Sequence, residues 1–187
     1  KEHPVTAACT TGPAPDGPVV LAYSGGLDTS ALVPWLKEKY GHDVVCCLVD
    51  IGRVEDVPSI MARAAAAGAV ATEALDAREE FAEHYCLPAL MANALYEDKY
   101  PLSTAIGRPL IARKLVETAH RYGAVAVAHG CTGKGNDQVR FDIAVRALDP
   151  ALRIIAPARE TDWPSREELI DYVTERGIPL DLTKKSP

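Results

Sequence analysis

The sequence predicts an α/β protein, a three-layer sandwich on a mostly parallel five-stranded sheet covered by helices on both faces. Three observations carry this. Short apolar runs rich in β-branched residues recur along the chain and read as buried strands. Each is followed by a longer stretch of helical composition, so strand and helix alternate. The first run, in VVLAYSGGLDTS at 19–30, turns through paired glycines into a helix start, which is a strand, a phosphate-sized turn and a helix N-terminus.

The chain has 187 residues, enough for one domain with a sizeable core. A formal charge of -6 argues against a broad electrostatic grip on nucleic acid. No apolar run approaches membrane-spanning length and no secretory pattern opens the chain, so the expectation is a cytoplasmic protein with no membrane partner. The five cysteines, at 9, 46, 47, 86 and 131, contain no C-x-x-C pair. In a strand, Cys46 and Cys47 point to opposite faces, so they suggest apolar fillers rather than a disulfide framework or a metal site.

Residues 1–17 are rich in proline and glycine and read as a flexible arm ahead of a domain at 18–187. The first strand leads to a helix from about Asp28 to Tyr40, with Leu32, Trp35 and Leu36 on a core face. Pro34 fits only if its kink falls in the first turns. A second strand, Val44 to Val49, ends at Asp50, a carboxylate placed either near a ribose or base or simply in a turn. Val57 to Ala67 reads as a helix, Val70 to Leu75 as a third strand, and Asp76 as the cap of a solvated helical stretch. Leu90 to Ile106 is irregular, polar and aromatic, either a substrate-lining loop or an ordinary connection. Pro109 is expected to start a long helix to about Tyr122, with Arg108, Arg113 and Lys114 as a basic patch or a charged surface. Ala124 to Ala128 and Leu152 to Ala156 are the last strands. Ser165 caps a final helix that Gly177 stops, and IPLDLTKKSP resembles the start of another strand.

The chemistry concentrates at two places. At the first turn, Gly25 and Gly26 let an anion approach the backbone, Ser24, Thr29 and Ser30 add hydroxyls, and Asp28 caps the helix or orients a neighbouring donor or hydrated magnesium. No lysine follows at Walker A spacing, and the three-glycine dinucleotide pattern is absent. After the fourth strand, HGCTGKGNDQVRF crowds Gly130, Gly133 and Gly135 among Thr132, Lys134, Asn136 and Asp137, as a loop around a polar ligand would. Asp137 and Arg140, three positions apart on a helix, either hold the two ends of an amino acid or pair with each other.

AYSGGLDTS at 22–30 resembles the pyrophosphate-binding loop of the PP-loop ATP pyrophosphatases. HGCTGKGNDQVRF at 129–141 and ALYEDKYPLSTAIGRPLIARK at 94–114 are similar to the argininosuccinate synthase family, and the likeness covers about 19–187. It implies an adenine nucleotide alpha-hydrolase-like sheet and an ATP site made by Ala22, Tyr23, Ser24, Gly25, Gly26, Leu27, Asp28, Thr29, Ser30, Val49 and Gly130. It further implies L-citrulline on Tyr100, Asn136 and Arg140, and L-aspartate on Thr132, Asn136 and Asp137, with Asp28 and Asp137 as catalytic candidates and ATP with Mg2+ as cofactors. The implied reaction adenylates citrulline with loss of pyrophosphate, after which the aspartate amine displaces AMP. Two departures stand out: Arg53 follows DIG where the family usually has glutamine, and the family's second domain, which completes the citrulline pocket and the homotetramer, is not in this sequence. Other readings are a stand-alone PP-loop pyrophosphatase that adenylates a different acceptor, or a nucleotide-binding module without catalysis.

Overall fold

A computed structural model of the chain describes residues 17–52, 54, 56–160 and 162–180. Strands β1 (Val19–Ala22), β2 (Val44–Asp50), β3 (Ala71–Asp76), β4 (Ala126–Ala128) and β5 (Arg153–Ile155) form one sheet in the order β3-β2-β1-β4-β5. Every neighbouring pair is parallel, so the expected mostly parallel sheet is wholly parallel among the described strands. From β1 the chain winds outward to β2 and β3, then returns to place β4 on the other side of β1. An open parallel sheet leaves a crevice beyond the strand ends at such a reversal.

Side-chain alternation splits the core in two. Val19, Leu21 and Cys46 face α1 (Leu27–Tyr40), α2 (Val57–Ala66) and α7 (Arg166–Glu175), where Leu32, Leu36, Ala64, Leu169 and Val173 are buried. Val20, Cys47 and Val49 face α5 (Ser103–Tyr122) and α6 (Asp137–Leu148), against Leu110, Leu115, Phe141 and Val145. The adjacent cysteines therefore serve opposite cores. Burial pushes the Cys47 thiol up to about 11 and the Cys46 thiol further still, which leaves both protonated and inert.

Several elements depart from expectation for packing reasons. Pro34 lies inside α1, not in its first turns, and removes the amide that would bond the Ser30 carbonyl. The helix runs through because Leu32 and Leu36 are fully buried and Trp35 packs edge-on against Trp163 at 5.3 Å and Tyr172 at 5.9 Å. Pro109 likewise falls within α5, which starts at Ser103 rather than at the proline. Gly107 anchors the added turn: a Cβ there would stand 2.8 Å from Ile51 Cδ1.

Asp76 ends β3 and is not the cap of the next helix, whose N-cap is Ala77; its carboxylate accepts from the Arg78 amide and guanidinium. The following stretch is α3 (Arg78–Phe81), a π-turn over Ala82–Cys86 and α4 (Leu87–Met91). Exposed Leu87, Leu90 and Met91 make its surface partly apolar, not simply solvated. Between α4 and α5 the irregular connection holds Asn93, Glu97, Asp98 and Leu102, every non-glycine residue with positive φ among those described.

At the ends, Gly17 is not loose: a Cβ there would meet Val125 Cγ1 at 2.6 Å, and its carbonyl lies 3.0 Å from His42 Nδ1. Residues 178–180 form no strand. The remainder of the expected arm, Arg53 and residues 181–187 lie outside the described residues.

Candidate nucleotide site at the strand ends

The loop after β1 is shaped from below. The Tyr23 amide donates to the Cys47 carbonyl at 2.9 Å, and the Tyr23 phenol shares a buried hydrogen bond with the Ser30 hydroxyl at 2.9 Å. Gly25 follows with φ 77° on the buried side, where a Cβ would stand 2.9 Å from Ile60 Cγ2, so only glycine fits. Gly26 is the N-cap of α1 and no side chain caps that helix, which leaves its first amides directed at the loop. Around them the Ser24 and Thr29 hydroxyls lie 3.1 Å apart, and the Thr29 hydroxyl donates to the Gly26 carbonyl at 3.3 Å.

The loop after β4 closes the other side. A Cβ on Gly130 would be 3.3 Å from Leu32 Cδ1 and 3.6 Å from Thr29 Cγ2, so this backbone lies directly on the start of α1. His129, 1% exposed, stacks on Phe141 at 5.2 Å. Its Nδ1 accepts from the Cys131 amide at 3.3 Å, so Nε2 carries the hydrogen and donates to Asp142 at 3.3 Å. Asp142 is held in turn by Arg159 at 2.8 Å. Burial first, then the Arg159 charge, outweigh Asp142 and hold the imidazole below its ordinary range.

Together the two loops border a cleft of about 640 Å³. Ala22, Tyr23, Ser24, Gly26, Asp28, Thr29, Val49 and Gly130 line it, while the apolar wall is Ile51, Ile111 and Phe141. A polar end beside an apolar wall suits an anionic tail joined to a flat ring. Gly25, Leu27 and Ser30 stand behind the lining: Gly25 and Ser30 are buried and Leu27 packs on the core. Among the described residues Asp28 is the one carboxylate in the lining. Among the described residues no group of three or more His, Cys, Asp or Glu is placed to hold a metal ion.

A second cluster adjoins the cleft. Arg108, part of the lining, donates to Asp137 Oδ2 at 2.8 Å, and Arg140 donates to Asp137 Oδ1 at 3.0 Å. Asp137 and Arg140, three positions apart on α6, are therefore in contact through this pair. Burial would raise the Asp137 carboxyl, but Arg108 and Arg140 together hold it below the usual carboxylate range. Thr132 and Asn136 are exposed on the connecting loop. The Tyr100 phenol reaches the Thr104 hydroxyl at 3.0 Å, and Thr104 lines the cleft. Arg113 and Lys114 are not part of a basic patch, since both pair with Glu80. Asp50 takes the turn role, accepting from the Gly52 amide at 2.7 Å.

A family model described as the arginosuccinate synthase N-terminal HUP domain matches residues 18–179. The chain belongs to this family. It is 55% identical over 169 residues to the argininosuccinate synthase of Carboxydothermus hydrogenoformans, covering 90% of this chain and 42% of that protein. It is 55% identical over 171 residues to that of Ligilactobacillus salivarius, covering 91% and 42% respectively. With the synthase of Anoxybacillus flavithermus the identity is 56% over 169 residues, covering 90% and 42%. The chain thus spans about 42% of the length of these curated relatives. Membership in the arginosuccinate synthase N-terminal domain family places the chain in the PP-loop superfamily, and the wholly parallel sheet agrees with it.

Three residues of this domain have surroundings that local sequence does not reveal. Arg108 reads locally as one charge of a helix-surface patch, and its pairing with Asp137 arises only once α5 and α6 pack together. His129 carries no local signal inside its motif, because its surroundings, Phe141, Asp142 and Arg159, come from later elements. Arg63, on α2, had no local signal at all; its hydrogen bond to the Gly25 carbonyl exists only after folding.

Proposed function

We propose that this chain is the nucleotide-binding part of an argininosuccinate synthase, which joins L-citrulline and L-aspartate through a citrullyl-adenylate and releases pyrophosphate and AMP. The observation that carries the reading is the meeting of the SGGLDTS loop with Gly130 beyond β1 and β4, next to an Asp137 carboxylate held between two guanidiniums. In this reading ATP lies across the strand ends. Ala22, Val49 and Gly130 stand along the nucleotide, and Ser24, Gly26, Asp28 and Thr29 face its pyrophosphate end, with Gly25, Leu27 and Ser30 supporting them from behind.

The citrulline ureido oxygen attacks the α-phosphorus, and the charge that develops on the leaving pyrophosphate meets the α1 amides and loop hydroxyls. The aspartate amine then displaces AMP. Holding both acceptors in line supplies much of the remaining rate, and no protein nucleophile is needed. Tyr100 and Arg140 bind citrulline, Thr132 and Asp137 bind aspartate, and Asn136 touches both. A citrulline carboxylate would compete with Asp137 for Arg140 and leave one Asp137 oxygen free for the aspartate ammonium. Magnesium, when bound, neutralises phosphate charge. Among the described lining residues Asp28 is the carboxylate that would help hold such an ion, together with substrate phosphates and water. The reading carries with it a cytoplasmic location, no nucleic-acid or membrane partner, and a homotetramer for the full-length protein.

The test is pyrophosphate release by the purified chain with ATP and magnesium, with and without citrulline. Release that requires citrulline is the expected result. Release with ATP alone would favour a different acceptor. ATP binding with no release in either case would restrict this part of the protein to holding the nucleotide.

A further inference from the structure

The geometry points to Arg63, on the buried side of the phosphate loop, as the residue that orients the loop for pyrophosphate; this rests on the nucleotide reading above. From α2, Arg63 spends its guanidinium on two backbone carbonyls distant in sequence. Nη1 donates to the Gly25 carbonyl at 2.5 Å and Nε donates to the Pro179 carbonyl at 2.9 Å.

A trans peptide is planar, so the Gly25 carbonyl and the Gly26 amide point in opposite directions. The described residues contain no cis peptide. With the carbonyl drawn down to α2, the Gly26 N–H is turned up, where Ser24 and Gly26 border the cleft. A half-turn of this one peptide would present an oxygen to the phosphates and replace attraction by repulsion.

Paired glycines tolerate both orientations, so the freedom that lets an anion approach also leaves the loop without a preference of its own. The Arg63 fork supplies it. Ile60, 2.9 Å from where a Gly25 Cβ would be, keeps the backbone from sinking away. Arg63 does not border the cleft and is a positioning residue. A lysine in its place could donate to the Gly25 carbonyl yet lacks the planar fork that holds both carbonyls.

The test titrates the chain with inorganic pyrophosphate, ATP and adenosine, and follows the Gly26 amide by NMR. Arg63→Met keeps the aliphatic stem and removes both donors. It should weaken pyrophosphate and ATP binding by about tenfold, equivalent to about 1.4 kcal/mol, and abolish the pyrophosphate-induced shift of the Gly26 amide. Adenosine affinity should stay within about twofold, since its contacts do not involve this peptide. Arg63→Lys should fall between the two and keep the Gly26 shift.

Unchanged pyrophosphate binding by Arg63→Met would overturn the inference and leave the nucleotide reading standing. Weaker binding with the Gly26 shift intact would also overturn it, in favour of charge alone. Should Arg63→Met not fold, a Gly26 amide in the native chain that ignores pyrophosphate is a further contrary result. If the native chain bound neither ATP nor pyrophosphate, the nucleotide reading would fall and this inference with it.

Discussion

Asp137 accepts from guanidiniums on two different helices, α5 and α6, and that double contact determines what substitution there does. Asp137→Ala leaves Arg108 and Arg140 facing each other without an anion, and removes the group proposed to hold the aspartate amine. It should weaken aspartate binding by about tenfold or more while ATP affinity changes little; titration calorimetry with each ligand checks this, and equal losses would sink the role. Arg140→Ala should act on citrulline in the same selective way. His129 makes a prediction about pH. Burial holds its imidazole below the ordinary value near 6.5, so below that pH the unfolded chain takes up a proton that the folded chain refuses. Stability present above that value is therefore lost as the pH falls through it toward the folded value. Urea midpoints should drop between about pH 7 and pH 5, and His129→Gln should flatten that part of the curve. An unchanged slope would show that other groups cause it.

At the scale of elements, the loop and the helix beneath it form one unit. Gly25→Ala forces a side chain into φ 77° with its Cβ 2.9 Å from Ile60, backed by a helix that cannot move freely. A loss of about 1–3 kcal/mol follows from strain and overpacking. Gly130→Ala crowds the far end of Leu32 at 3.3 Å and otherwise makes ordinary contacts with Thr29 and Asp28, so its loss should be smaller. Urea denaturation of the two variants orders them, and the reverse order would contradict the packing. On the far side of the same layer, α7 is closed by a capping box between Ser165 and Glu168 and buries Leu169 and Val173. Ser165→Ala should cost about 1 kcal/mol and leave pyrophosphate binding unchanged, since this cap is not part of the cleft.

For the whole molecule, the order β3-β2-β1-β4-β5 matters more than any one element, because it makes neighbours of two loops more than a hundred residues apart in the chain. A ligand that spans both loops stabilises the fold by mass action. ATP at about a hundredfold over its dissociation constant should add about 2.7 kcal/mol and raise the melting temperature, and adenosine at matched saturation should do the same. A midpoint unmoved by saturating ATP would contradict the proposed site.

Much of this protein was legible in the chain itself. Continuous apolar runs between helical stretches determined a parallel sheet, since only strands covered on both faces are apolar throughout. Gly25, Gly26 and the hydroxyls of Ser24 and Thr29 determined the loop after β1, because backbone freedom and donor chemistry are local properties. Asp137 and Arg140 were marked by their spacing, with two arrangements open. Tertiary structure decided what local rules could not. It carried helices through Pro34 and Pro109, since buried Leu32, Leu36 and Gly107 outweigh one lost hydrogen bond each. It added Arg108, from another helix, to the Asp137–Arg140 pair, and it seated Arg63 under Gly25. These contacts join residues distant in sequence, and the energies that select them arise only when the layers close.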